Sequence, residues 1–145
     1  MTAAVDAFLD PTRFLLIAPT QSLRSIVGSF VVSVRGAENA LEEAWGKSVV
    51  EGPRYREVLI ETTVAIHTAL TAWTLERELR TAGAPEGSEV VYGVYDLATR
   101  YVRLPLTADG AADAGLRAPP ADSTGLEQQA GRIASGEIVR RILEL

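Results

Sequence analysis

Apolar and polar positions follow two different periods along this chain, and the switches between them divide it into elements. Arg13 to Ala18 (RFLLIA) is a short apolar run between Pro11 and Pro19, the pattern of a buried strand. From Ser22, a suitable N-cap, the residues Leu23, Ile26, Val27, Phe30, Val31 and Val34 recur at helical spacing, with Gly36 as the expected stop. The β-branched pair Val31-Val32 also allows a strand continuation there. Ala37 to Trp45 predicts a second helix, and Ser48 to Val50 a short extended piece in the connection that follows. Pro53 suits a first helical turn, and the strongest helical signal runs from it to about Ala82, closed by Gly83, Pro85 and Gly87. On a helical wheel Val58, Thr62, Ala65, Ile66, Ala69 and Trp73 cluster, while Ile60, Val64, Leu75 and Leu79 lie elsewhere around the circumference. Such a helix is either central to the fold or presents its second face to another subunit.

Beyond it the period changes to two. Glu89 to Leu106 (EVVYGVYDLATRYVRLPL) reads as a hairpin, with Asp96 placed to start its turn. In its second run Tyr101, Arg103 and Pro105 alternate with Val102, Leu104 and Leu106, giving one wet and one buried face. Ala, Gly, Asp and Pro then dominate, the composition of a flexible linker. The chain ends in an amphipathic helix capped by Ser135, with Ile138, Val139, Ile142 and Leu143 on one side and Arg140, Arg141 and Glu144 on the other. The expected fold is α/β or α+β: a small sheet with a C-terminal hairpin packed on two or three helices. The expected organisation is a globular domain over 1–106, a linker over 107–131 and a docking helix over 132–145. A helix this short is marginal alone, so its apolar stripe must find its own domain, a sister subunit or another protein.

Composition narrows the chemistry more than it names it. With 145 residues the chain can bury a core without staples, and its apolar fraction of 47% suits a globular domain. The apolar run Phe14 to Ala18 is too short to cross a bilayer, and no basic segment precedes Arg13, so a cytoplasmic location without membrane attachment is the expectation. The absence of cysteine removes thiolate nucleophiles, thiolate metal ligands and disulfides. With a single histidine, His67, the chain cannot assemble the Cys and His ligand sets of ordinary zinc sites, and no metal or other cofactor is expected. A net charge of -5 disfavours nucleic acid, whose binding draws on Lys and Arg.

Few side chains remain as candidates for chemistry. His67 titrates near neutrality and could serve as a base, although a packed or interfacial histidine is the simpler reading. The threonines around it (Thr62, Thr63, Thr68, Thr71, Thr74) fit back-bonding to helical carbonyls better than nucleophilic catalysis. Arg54 and Arg56, at the start of the long helix, could hold an anion, with His67 as a third contributor. No glycine-rich phosphate loop follows a strand, and no catalytic residue is assigned.

The segment Leu75 to Leu104 is similar to the C-terminal part of the β-class carbonic anhydrases. In that family a long helix leads into a strand and a hairpin of Gly, Tyr-Asp and Thr-Gly-x-Val type. Gly93, Tyr95, Asp96, Thr99 and Val102 fall into that pattern, with Arg100 where the family usually has Gly. The resemblance implies a parallel α/β sheet and an obligate dimer. It also implies a zinc held by two cysteines and a histidine, from Cys-x-Asp-x-Arg and His-x-x-Cys segments that this chain lacks, so no site residue carries over. The expectation is therefore a non-catalytic, self-associating assembly or partner-binding protein, a dimer or larger, whose C-terminal helix docks a protein partner. The alternatives are a cofactor-free enzyme acting on a small anion and a structural component of a larger particle.

Overall fold

A computed structural model describes residues 20–97, 100–103 and 117–144, with side chains from residue 28 onward except those of Asp96 and Arg103. The elements are α1 (Thr20–Trp45), α2 (Lys47–Val50), α3 (Tyr55–Thr81), β1 (Val94–Asp96), β2 (Tyr101–Arg103), α4 (Ser123–Ala134) and α5 (Glu137–Leu143). This is a small α+β fold in which the sheet, among the described residues, is one antiparallel hairpin. The strand expected at Arg13 to Ala18 lies outside the described residues.

The two helices expected on either side of Gly36 are one, α1. Ser33, Ala37, Ala40 and Leu41, all buried, carry the helical spacing straight across the glycine. Their burial offsets the roughly 1 kcal/mol that an interior glycine costs a helix. A Cβ at Gly36 would meet Ile66 of α3 at 3.8 Å, ordinary contact. The stop comes at Gly46, whose N–H still reaches Glu42 O at 2.8 Å but whose φ of 75° with ψ of -178° is an extended positive-φ conformation that suits glycine and leaves the helix. Ser48 to Val50, expected to be extended, belongs to the single helical turn α2.

The short connection folds α3 back antiparallel on α1. Residues at α1/α3 positions 33 and 67, and 36 and 66, face each other. Pro53, expected in the first turn, lies just before the N-cap Arg54, and the end of α3 is a Schellman cap as its closing glycine predicts: Ala84 N–H bonds Leu79 O at 2.9 Å and Gly83 N–H bonds Arg80 O at 3.2 Å, with Gly83 at φ 71°. Val58, Thr62, Ala65, Ile66, Ala69 and Ala72 are buried along it. α3 is also long and apolar enough to cross a membrane by length and composition, with a mean hydropathy of 1.3 and 39% of that window buried against the rest of the chain.

The hairpin pairs Val94 with Arg103, Tyr95 with Val102 and Asp96 with Tyr101. Tyr101 is 68% exposed and Val102 half-buried, the alternation its sequence predicts. Arg100, standing where the resembled family has Gly, takes φ 61°. Leu104 to Leu106 and most of the expected linker lie outside the described residues.

The C-terminal part departs from expectation. Residues 123–131, read as linker, belong to α4, because the Asp122 carboxylate accepts from Gly125 N–H at 2.7 Å and caps a first turn. Ala130, Ile133 and Ala134 then enter the core. Ser135 closes α4 rather than opening α5, its hydroxyl donating to Gly131 O at 2.8 Å, and Gly136 is the N-cap of α5. The core is one cluster drawing on α1, α3, Tyr92, α4 and α5, so the described parts of the expected 1–106 domain and 132–145 helix share it.

Candidate functional site

His67 sits where α1 and α3 meet. Its Nδ1 lies 3.1 Å from Ser33 Oγ, which itself donates to Ser29 O at 2.8 Å. Phe30 meets the imidazole edge-on, with centroids 6.1 Å apart. Burial lowers the His67 pKa from its usual value, and the Ser29 carbonyl partly offsets this. A serine beside a histidine is the pairing that nucleophilic catalysis uses. Here Ser33 is wholly buried, and the pair ties α1 to α3.

The expected anion site of Arg54, Arg56 and His67 does not assemble. Arg54 is engaged by two carboxylates, Glu57 at 2.8 Å and Glu144 at 3.3 Å. Arg56 is exposed on the first turn of α3, and His67 stands more than three turns further on, roughly 16 Å along the axis from Arg56. Among the described residues no cluster of His, Asp and Glu could hold a metal ion.

The expected docking stripe of α5 faces inward. Val139 is 2% exposed, Ile142 and Leu143 pack against the core, and Ile138 is half-buried. Trp45 fixes this end of the fold, donating from Nε1 to Ala134 O at 2.8 Å, with the Arg140 guanidinium 5.9 Å above its ring. The stripe therefore meets its own domain, one of the three surfaces that the sequence left open.

The outward face of α3 is different. Ile60, Val64, His67, Thr71 and Leu75 follow one another at spacings of four, three, four and four, one stripe on the side of α3 opposite the buried Val58, Ala65 and Ala69. Ile60 is 50% exposed and Leu75 45%, and Phe30, 36% exposed, extends the stripe onto α1 through its contact with His67. Thr68, Thr71 and Thr74 bond back to carbonyls four residues earlier, as expected, whereas the buried hydroxyls of Thr62 and Thr63 find no partner among the described residues. Among those residues buried Trp73 Nε1 has no acceptor either, although Arg77 covers its ring at 4.8 Å.

No family model, curated protein or solved structure matches this chain. Function is thus read from the geometry alone. A group that sequence reasoning did not single out is Tyr92, 5% exposed, whose hydroxyl accepts from Gln129 Nε2 at 2.9 Å. Burial raises its pKa, and the nearby Arg117 guanidinium and the Gln129 bond oppose that shift. The signal that could have found it is a tyrosine on the alternating run before the hairpin, which the β pattern absorbed.

Proposed function

We propose that the chain is a non-catalytic assembly protein that self-associates, as a dimer or a larger homo-oligomer, through the outward stripe of α3 and Phe30. The observation that carries this is the row of large apolar side chains, Ile60, Leu75 and Phe30, standing between a third and a half exposed on two adjoining long helices. Scattered surface hydrophobes need no explanation, but a row at helical spacing is the pattern of a helix that packs on two sides. Two copies meeting along such stripes would form a bundle of long helices, with interfacial polar positions at His67 and Thr71 to set the register. The tail helix is not the docking element in this reading, because its stripe is already covered.

The test is the mass of the full-length chain in solution, by sedimentation equilibrium or light scattering across a wide concentration range. The wild type is expected to be an oligomer, and the pair Ile60→Glu and Leu75→Glu to yield a monomer with unchanged helical circular dichroism. A wild-type chain that stays monomeric at the highest accessible concentration would end this proposal.

A further inference from the structure

The outward stripe of α3 does not end on apolar residues. Continued at helical spacing, four positions before Ile60 and three after Leu75, it runs into Arg56 at one end and Glu78 at the other. Both side chains are exposed, and neither forms an ion pair with any described residue. The neighbouring charges are already engaged: Glu57 by Arg54, Glu76 by Arg80, and Arg77 by the ring of Trp73.

The two ends are placed symmetrically. His67 stands at the middle of the stripe, with Arg56 eleven residues before it and Glu78 eleven after, while Ile60 lies seven before and Leu75 eight after. In a two-fold interface, residue i of one copy meets residue j of the other, and j meets i in turn. Two α3 helices crossed antiparallel about His67 therefore set Arg56 of each copy against Glu78 of the other, at ends about 33 Å apart, and bring Ile60 beside Leu75. A parallel pair would set Arg56 against Arg56 and Glu78 against Glu78, like charges at both ends. Between these ends the stripe holds no Lys, Arg, Asp or Glu, so the ends choose the orientation.

We propose, on the basis of the self-association put forward above, that two copies of this chain pair antiparallel along α3, with the two-fold axis at His67 and a reciprocal bridge from Arg56 to Glu78 at each end. Apolar contact along the stripe supplies most of the affinity. The bridges, exposed at the rim, add little energy each but penalise the wrong orientation.

The experiment measures dimer dissociation of full-length chains by sedimentation equilibrium at low salt. Arg56→Glu and Glu78→Arg each set like charges together at both ends, and each should weaken the dimer by on the order of tenfold, a loss that added salt shrinks. The double variant carrying both reversals rebuilds the two bridges with their charges exchanged and should dimerise as wild type. Orientation is read separately from a nitroxide on Thr81→Cys, in a chain with no native thiol to compete. Labels should stand about 40 Å apart in the antiparallel pair, against about 10–20 Å in a parallel one. Single reversals that dimerise as wild type, or labels at the shorter distance, would overturn this pairing while leaving self-association in place. A wild-type chain that stays monomeric would overturn both.

Discussion

Val139→Ala tests whether α5 belongs to the fold or waits for a partner. Val139 is 2% exposed, within a cluster that includes Leu41, Val58 and Ile133. Removing two methyl groups forfeits about 0.8 kcal/mol of transfer free energy for each, and the cavity left behind adds to that, for a total of about 2 kcal/mol. In a chain of this size the corresponding fall in Tm is about 4–8 °C. Ile133→Ala, at 1% exposure, should cost about 2–5 kcal/mol. The assay is chemical denaturation read by circular dichroism, with Tm from a thermal scan on the same variants. A solvent-facing docking stripe would behave otherwise, because surface substitutions usually stay within about 0.5 kcal/mol. A Val139→Ala variant as stable as wild type would therefore refute the placement of α5 in the core. Deleting residues 126–145 is the coarser form of the same test. It takes Ile133 and Val139 together, leaves Trp45 Nε1 without its acceptor Ala134 O, and should abolish the cooperative transition.

Two further outcomes follow from groups on α3. The folded His67 pKa is lowered by burial, so below the usual histidine value near 6.5 the unfolded chain binds a proton that the folded chain resists. Stability should then fall as pH drops through that value and level off below the folded pKa, and His67→Gln should flatten this part of the profile in urea melts at stepped pH. Thr62→Val and Thr63→Val each replace a buried, unpartnered hydroxyl with a methyl of similar shape. Each should leave Tm unchanged or raise it, by up to about 1–2 kcal/mol of stability, and a clear loss in calorimetric scans would show that these hydroxyls are satisfied in the protein.

The elements legible in the sequence were those bounded by strong local signals. α3 has Pro53 before it and Gly83 after it, with unbroken helical spacing between, and the hairpin shows plain alternation from Tyr101 to Arg103. What misled were residues whose meaning depends on distant partners. Gly36 reads as a stop because a glycine weakens a helix locally, yet the burial of Ser33, Ala37 and Leu41 against other elements holds α1 together across it. α4 reads as linker because Gly125, Ala130 and Gly131 carry little hydrophobic signal, although Ala130 enters the core and Gly125 admits the close approach of Pro120. The site residues were legible only singly. His67 stood out as the sole histidine, but Ser33 is 34 positions away, and Tyr92 and Gln129 are 37 apart. No local pattern announces such pairs, which exist only once the helices have packed.

The proposed assembly ties the distribution of side-chain size around α3 to a measurable linkage. The inward positions of α3 hold Val58 and Ile66 but also the small Ala65, Ala69 and Ala72, while Ile60 and Leu75 face outward about half exposed. A helix serving its own core alone would place its bulk inward and polar groups outward. Alanines inside allow α1, α4 and the segment around Tyr92 to approach closely, but they contribute little apolar area each, which limits what the monomer gains from folding. The larger side chains outside gain their share only when a second surface covers them. In the proposed assembly folding and association are linked, so the wild-type Tm should rise with protein concentration while that of the Ile60→Glu and Leu75→Glu double variant should not. A concentration-independent Tm in both would place the outward bulk of α3 among ordinary surface hydrophobes and remove its role in assembly.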